Sequence, residues 1–510
     1  MSLPMLKNIG FSILFILLLV SCQDDFERLK RNDWNPEMAI PLIDSRFDVY
    51  RVFKKTNDSG SVETGDDRVI SLVYSGEIFR ISGQELFSIP DVEFDLTIAQ
   101  GELPFIGTGM SLKQLDFGQG ILQVHIEHNS TEDVLISLNM PRTSKNGVPF
   151  QKVFRVNYSG SSVTVFDTIF DLAQYKSDLT GSSGQGSNMM NINYSSTGVT
   201  SGQPAPMNTF KVDFNNLAFN YLGGYLGKID LGDFSDSLGM IAFENFRTGG
   251  IKFEEPKIII TTENGFGIPC LMSFNEFSGT RSGVTTKLTG DLVDKGMIVE
   301  AAKDTLNNAV SIENINDENS NLTDFLFSPP NALKFDIDLK ANPANDTTAY
   351  NFVSSKSELI GNIDIELPLV GRLNSVAFEH TFDFSAEDFE DTRNATFKIW
   401  TKNFFPLGIY IQLYFLNENE DALDSLVVNG GTIFREAQVD ENGFSVIPSI
   451  EESYIVMGES RFTRMVESTS KMRFKAILSS KASRFRPIRI RDDNYFEIKL
   501  GVIARINEKL

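Results

Sequence analysis

Three times along this chain, a short run of alternating apolar residues ends at an asparagine, crosses a few turn residues and resumes as a second alternating run. Val124-His125-Ile126-Glu127-His128-Asn129 leads to Val134, Ile136, Leu138 and Met140. Ile259 to Asn264 leads through Gly265-Phe266-Gly267 to Ile268, Cys270, Met272 and Phe274. Lys398 to Asn403 leads through Phe404-Phe405-Pro406-Leu407-Gly408 to Ile409, Ile411, Leu413 and Phe415. A period of two places every apolar residue of a run on one face of an extended strand, so each copy is predicted to be a β-hairpin with one buried face. Asparagine suits the turn because its side chain hydrogen-bonds nearby backbone and tolerates left-handed geometry. A lone hairpin is not stable in water, so each copy is expected to belong to a separate sandwich.

The remaining sequence agrees with that class. Short runs rich in Val, Ile, Phe and Thr recur between Asn, Asp, Gly and Ser clusters, and long segments of period 3.6 are nearly missing. The expectation is an all-β protein of tandem antiparallel β-sandwich domains. One short helix near the C-terminus is predicted over Glu459 to Thr469, where Phe462, Met465 and Val466 fall at helical spacing. Polar, turn-rich stretches at Asn57 to Asp67, Thr180 to Gly186, Ser195 to Pro206 and Glu313 to Asp324 suggest the divisions. Residues 1–21 form a signal peptide and 22–69 an anchor and N-terminal extension, and the sandwiches cover 70–205, 206–345 and 346–510.

The start of the chain specifies an address. Lys7, the apolar run from Ile9 to Val20, and Leu19-Val20-Ser21-Cys22 have the three regions of a secretory signal and are too short for a spanning helix. This stretch resembles a bacterial lipoprotein signal, which implies acylation of Cys22, palmitate included, and attachment to the outer membrane. Several acyl chains on one cysteine hold far more firmly than one, at about 0.8 kcal/mol per buried CH₂. Gln23, Asp24 and Asp25 resemble the acidic export signal of surface-exposed lipoproteins in the Bacteroidota, which implies a cell-surface location. Asp24 stands where the usual signal has alanine, which leaves the periplasm-facing leaflet as the alternative. The stretch Trp34-Asn35-Pro36-Glu37-Met38-Ala39-Ile40-Pro41-Leu42 is similar to one found early in an uncharacterised class of such lipoproteins, and no activity comes with it. The repeated strand, asparagine, proline-containing turn and strand resemble the small sandwich of water-stress and late-embryogenesis-abundant domains; the first copy lacks the proline.

Charge and composition exclude several functions. The chain has 46 basic and 68 acidic side chains, a formal charge of −22, which does not suit a nucleic-acid backbone. Its one dense basic cluster, Lys481 to Arg491, alternates arginines with Phe485, Ile488 and Ile490 and reads as a half-buried strand broken by Pro487. A contact to anionic lipid or lipopolysaccharide headgroups is the sharper reading of that cluster. With Cys22 acylated, Cys270 is the one remaining thiol, so the core and not a disulfide must hold the fold. Forty-two phenylalanines against two tryptophans make Phe the main large core side chain.

No motif carries recognised chemistry, so no catalytic or metal residue and no cofactor is expected. Among the three histidines, His125 and His128 lie three apart on one strand and therefore on opposite faces. His125 is expected at solvent and His128 at the core edge. Cys270 sits on an apolar face, where a thiol is inert. Asp317-Glu318-Asn319-Ser320-Asn321 begins like a calcium loop but lacks its sixth-position glycine and twelfth-position glutamate. Acidic residues are abundant enough to supply the paired carboxylates of a hydrolase from positions far apart in the chain, so that chemistry stays open, although abundance alone does not point to it. Asp followed by Ser or Thr and then an aliphatic residue or Thr recurs before Thr168, Ser237, Thr305, Thr347 and Ser425, and resembles the O-glycosylation motif of Bacteroidota exported proteins. These features together lead us to expect a lipid-anchored, non-enzymatic interaction protein of the outer membrane, in its most specific form an accessory subunit of an outer-membrane β-barrel complex. The alternative is a cell-surface glycan- or lipid-binding lipoprotein. Its expected partners are the membrane, a protein at that membrane, and a glycan or lipid ligand, with no nucleic acid.

Overall fold

The computed structural model describes residues 37–50, 60–105, 109–243, 246–383, 392–480 and 486–506. Cys22, Gln23, Asp24, Asp25 and Trp34 lie outside these residues. Strand makes up 62% and helix 6% of the molecule, so the sheets have no helical layer to bury them and must cover one another. The fold is all-β and sandwich-like. The predicted helix is present as Glu459–Ser468, and the other α-helices lying wholly within the described residues have only four or five residues each: Gly83–Leu86, Asp291–Lys295 and Leu322–Phe325.

The repeated motif is not a hairpin. In no copy do its two strands pair with each other: in the second and third copies the turn carries the chain from one sheet across to another, and in the first it joins two strands of one ten-stranded sheet that a third strand separates. Lys257–Asn264 pairs with Ala309–Ile315 and Glu358–Pro368, whereas Cys270–Arg281 pairs with Ala332–Ala341, Val284–Lys287 and Met297–Val299. Thr392–Asn403 pairs with Tyr495–Ile506 and Ser449–Met457, whereas Gly408–Leu416 pairs with Lys471–Ser479 and Ala422–Phe434. In the first copy, Ser111–His128 is flanked by Thr164–Asp171 and Thr209–Tyr225, and Val134–Lys145 by Val148–Val156 and Met189–Gly198. The three-residue strand Lys176–Asp178 pairs with both and joins the two layers. An alternating run specifies which face is buried but not which strand lies beside it, and that is where the hairpin expectation fails.

A buried side chain at the end of the first strand fixes each crossing. Asn264 is fully buried; its Nδ2 donates to the carbonyls of Ile268 (2.9 Å) and Glu300 (2.8 Å), and its Oδ1 accepts from the Phe266 amide (2.8 Å). Asn403 repeats the pattern with Leu407 (2.7 Å), Arg435 (2.9 Å) and the Phe405 amide (2.8 Å). In the first copy the equivalent residue is His128, one position before the asparagine that the sequence suggests. It is fully buried, its Nδ1 accepts from the Ser130 amide at 3.1 Å, and its Nε2 has no partner. His128 is therefore a corner residue and not a core-edge one.

Apolar faces meet behind each corner. Leu122, Val124 and Ile126 and the opposing Val134, Ile136, Leu138 and Met140 are all fully buried, as are Ile258, Ile260, Ile268, Cys270 and Met272 in the second copy. In the third, Ile399, Phe434 and Ile455 form the cluster between the layers. Phe154 and Phe166, from outer strands of opposite layers, stack at 5.7 Å between centroids.

Sheet pairing does not follow the boundaries drawn at 70, 206 and 346. Thr209–Tyr225 belongs to the first unit through its long ladder with Ser111–His128. Ile70–Ser82 pairs with Glu358–Pro368 in the second unit, so the first unit is inserted into the second. Phe246–Phe253 pairs with Val370–Asp383 in the third unit. Glu37–Asp48, expected as extension, is an edge strand of the third unit and pairs with Tyr495–Ile506. The polar stretches used as boundaries are turns within or between layers, and a strand's distant partner leaves no mark in its own composition.

Replacing Asn264 or Asn403 by Ala removes three hydrogen bonds and strands two buried carbonyls, so each variant is expected to lose about 2–4 kcal/mol in urea denaturation. Burial lowers the His128 pKa, so its contribution is full above the unfolded value near 6.5 and drains as pH falls through and below it. His128→Asn should therefore show a smaller stability loss than wild type between roughly pH 6.5 and pH 5; equal slopes would contradict a neutral corner imidazole.

Candidate functional site

The second corner also builds the wall of a cleft of about 560 Å³. Its lining joins Tyr221, from the long strand Thr209–Tyr225 of the first unit, to Gly267 and Pro269 at the corner and to two loops carrying Lys303, Asp304 and Thr305 and Ala349 to Phe352. The short strand Asn351–Ser354 closes the seam by pairing with Tyr221 to Gly224. Close packing explains the glycines here. A Cβ on Gly267 would lie 2.2 Å from the Phe352 ring, and one on Gly223 would lie 2.2 Å from the Tyr350 hydroxyl. Both rings need bare backbone beneath them.

Three aromatic rings define the site. Tyr221 and Phe352 stack at 6.0 Å with 15° between their planes, and the half-exposed Tyr350 is hydrogen-bonded to Tyr221. Burial, followed by the hydrogen bond to Tyr350, raises the Tyr221 pKa, so the phenol remains neutral and able to donate. Asn351 is buried; its Nδ2 donates to the Gly267 carbonyl at 3.2 Å, and its Oδ1 has no partner. Asp304 is exposed and holds its own turn, accepting from the Leu306 (2.8 Å) and Asn307 (2.9 Å) amides, which lower its pKa. The cleft thus offers flat apolar rings, neutral donors and acceptors, the Lys303 cation and the Asp304 carboxylate, whose turn amides favour its ionised form.

Other candidates resolve into structural roles. His125 faces outward, 2.7 Å from Asp167 and 3.6 Å from Glu127, and the hydrogen bond to Asp167 raises its pKa. His380 lies in the strand Val370–Asp383, and its side chain is outside the described residues. Cys270 is fully buried and its thiol is pushed up to about 12 by desolvation. Among the described residues no group of three or more His, Cys, Asp or Glu is placed to hold a metal.

A shallow groove holds Glu77 and Asp364, diagonal neighbours on paired strands, and Glu93 and Asp213 stand directly opposite each other on another pair of strands, where burial and then Glu93 raise the Asp213 pKa. Glu77 is bonded to Arg80, and that bond lowers its pKa, the wrong direction for a general acid. Asn319 spends its side-chain oxygen on the Asn316 amide within its own loop, and Asn321 spends its own on the Thr289 amide of a segment 32 residues earlier. In the basic cluster, Ile488 and Ile490 are buried, and Arg489 and Arg491 face Asp67 (3.9 Å) and Asp493 (3.3 Å). Residues 481–485 lie outside the described residues.

The five motif hydroxyls are not equivalent. Thr305 and Thr347 are exposed in turns, and Ser237 is exposed on a strand; Thr168 and Ser425 are half-buried in paired strands. Thr305 lines the cleft. Sequence reasoning missed Tyr221, Tyr350 and Phe352, which are scattered in the chain. The signals were Gly223-Gly224 ending an apolar strand and two aromatics flanking Asn351.

Comparison with known proteins gives no family. No protein-family model matches, and no curated protein matches. One similar solved structure, from Parabacteroides distasonis ATCC 8503, carries a provisional description as a secreted protein. It has 12% identity and a TM-score of 0.28, over 54% of this chain and 82% of that one. Infectious bursal disease virus Gx strain gives 7% identity and a TM-score of 0.17, over 80% of this chain and 75% of that one. Similarities at this level bear on neither fold nor function. Among the described residues no helix is long and apolar enough to cross a membrane.

Proposed function

We propose that the protein is a lipid-anchored, non-enzymatic binding protein of the outer membrane, held through Cys22 and exposed at the cell surface by Gln23, Asp24 and Asp25. Its binding element is the cleft between the first and second units, and its ligand is a glycan. The observation that carries this reading is the half-exposed Tyr350 lining the cleft with the stacked Tyr221 and Phe352. Sugar rings present C–H faces to aromatic rings and hydroxyls to neutral donors and acceptors, and the cleft volume lies within the range of roughly 300–1,000 Å³ typical of ligand sites. The exposed hydroxyls of Thr305, Thr347 and Ser237 are the positions at which sugar attachment fits this reading.

A second reading, an accessory subunit of an outer-membrane β-barrel complex, draws on the first unit. There Val148–Val156 and Thr164–Asp171 each pair on one side only and expose Val153 and Ile169. Such edges accept a strand or an apolar surface from another protein.

Calorimetric titration of the mature protein with neutral hexose and N-acetylhexosamine oligomers tests the first reading. Tyr350→Ala is expected to weaken binding by about 3- to 10-fold, the value of one aromatic contact, with folding unchanged. If no oligomer binds and a barrel protein co-purifies in mild detergent with the acylated form but not with Cys22→Ala, the second reading replaces it.

A further inference from the structure

The four-stranded sheet of the third unit runs Glu37–Asp48, Tyr495–Ile506, Thr392–Asn403, Ser449–Met457. Phe47, Phe496, Ile399 and Ile455 point inward, with the Phe47 and Phe496 rings stacked at 4.9 Å. The alternate residues form an outward face that the cleft reading does not use. Each of its aromatic rings carries a cation. The Arg46 guanidinium lies 3.8 Å from the Tyr495 ring centre, Lys499 lies 5.8 Å from Trp400, and Lys398 lies 5.4 Å from Tyr454. At the open edge the same face exposes Ile450 and Val456, the latter at 70%. Those cations also sit beside carboxylates: Arg46 by Glu497 (3.2 Å), Lys499 by Asp44 (3.2 Å) and Lys398 by Glu452 (3.0 Å).

We infer that this face lies on the headgroup layer of the membrane that holds the anchor; the inference rests on the lipid-anchor reading. Three observations converge on it. The first is chain length: Glu37 opens an edge strand of this sheet only fifteen positions after Cys22, so the sheet sits within about 50 Å of an acylated Cys22. The second is side-chain chemistry, because Trp and Tyr rings with long cationic side chains are the groups that settle at a membrane–water interface. The third is charge. The chain as a whole carries −22 and is repelled by anionic headgroups, whereas the cations of this face match its carboxylates. Ile450 and Val456, placed at the edge, reach past the polar pairs into the acyl boundary. The cleft belongs to other units, so a protein seated this way keeps its ligand site free.

The test uses the full acylated chain with Trp34→Phe, leaving Trp400 as the single tryptophan, reconstituted in phosphatidylethanolamine–phosphatidylglycerol vesicles. Acrylamide quenching of Trp400 is expected to fall by roughly threefold or more on reconstitution, and Ile450→Asp with Val456→Asp, both at exposed positions and checked for an unchanged circular dichroism spectrum, should restore it. Unchanged quenching, with palmitate labelling of Cys22 intact, overturns the membrane face and leaves the anchor standing. If Cys22 takes no label, the anchor and this inference fall together. Shielding that appears in Cys22→Ala protein without vesicles and rises with protein concentration assigns the face to a second copy and also overturns the proposal.

Discussion

A buried amide at the end of a strand organises this molecule. Asn264 and Asn403 each satisfy one turn amide and two carbonyls, one four residues on and the other more than thirty residues away. Such a group does two things at once. It lets the backbone leave one sheet without stranding polar atoms in the core, and it ties that crossing to a third segment, so the layers are fixed relative to each other. His128 does the first with its Nδ1 and lacks the second, leaving a buried Nε2 unsatisfied. The first unit makes the connection differently, with Lys176–Asp178 bridging its two layers directly.

The cleft is a consequence of that arrangement. Because the first unit is inserted between two strands of the second, its long strand Thr209–Tyr225 must run back to the second unit, where it pairs with Asn351–Ser354. Rings from both units meet there over Gly267 and Gly223, whose missing side chains make the space. A separate apolar cavity of about 80 Å³ at the contact of the second and third units, lined by Leu72, Phe253 and Leu478 among others, lies below the size of a ligand site and is a packing void. The four-stranded sheet of the third unit and the cleft therefore occupy different units, so the proposed seating of that sheet on a membrane would leave the cleft open.

The sequence discloses faces better than neighbours. The alternation in Val124–His128 and Val134–Met140 identified both buried faces, and the helical spacing of Phe462, Met465 and Val466 located the helix. The interior place of Cys270 followed from the same alternation. Partners were hidden, since nothing in Ile70–Ser82 marks Glu358–Pro368 as its neighbour and nothing in Glu37–Asp48 marks the C-terminal strand. The corner in the first copy was misplaced by one residue because a histidine does the work of an asparagine there. The cleft was invisible for the same reason as the pairing: Tyr221 and Phe352 are neighbours only through the insertion.

Hydrogen exchange at the turn amides tests the corner account most directly. Phe266 and Phe405 sit in turns, outside every sheet ladder, and their amides are protected only if the buried asparagine oxygens hold them. The account predicts that peptides covering 263–269 and 402–408 exchange as slowly at these amides as at the flanking strands. Exchange at the rate of an open turn, with the strands still protected, would contradict it.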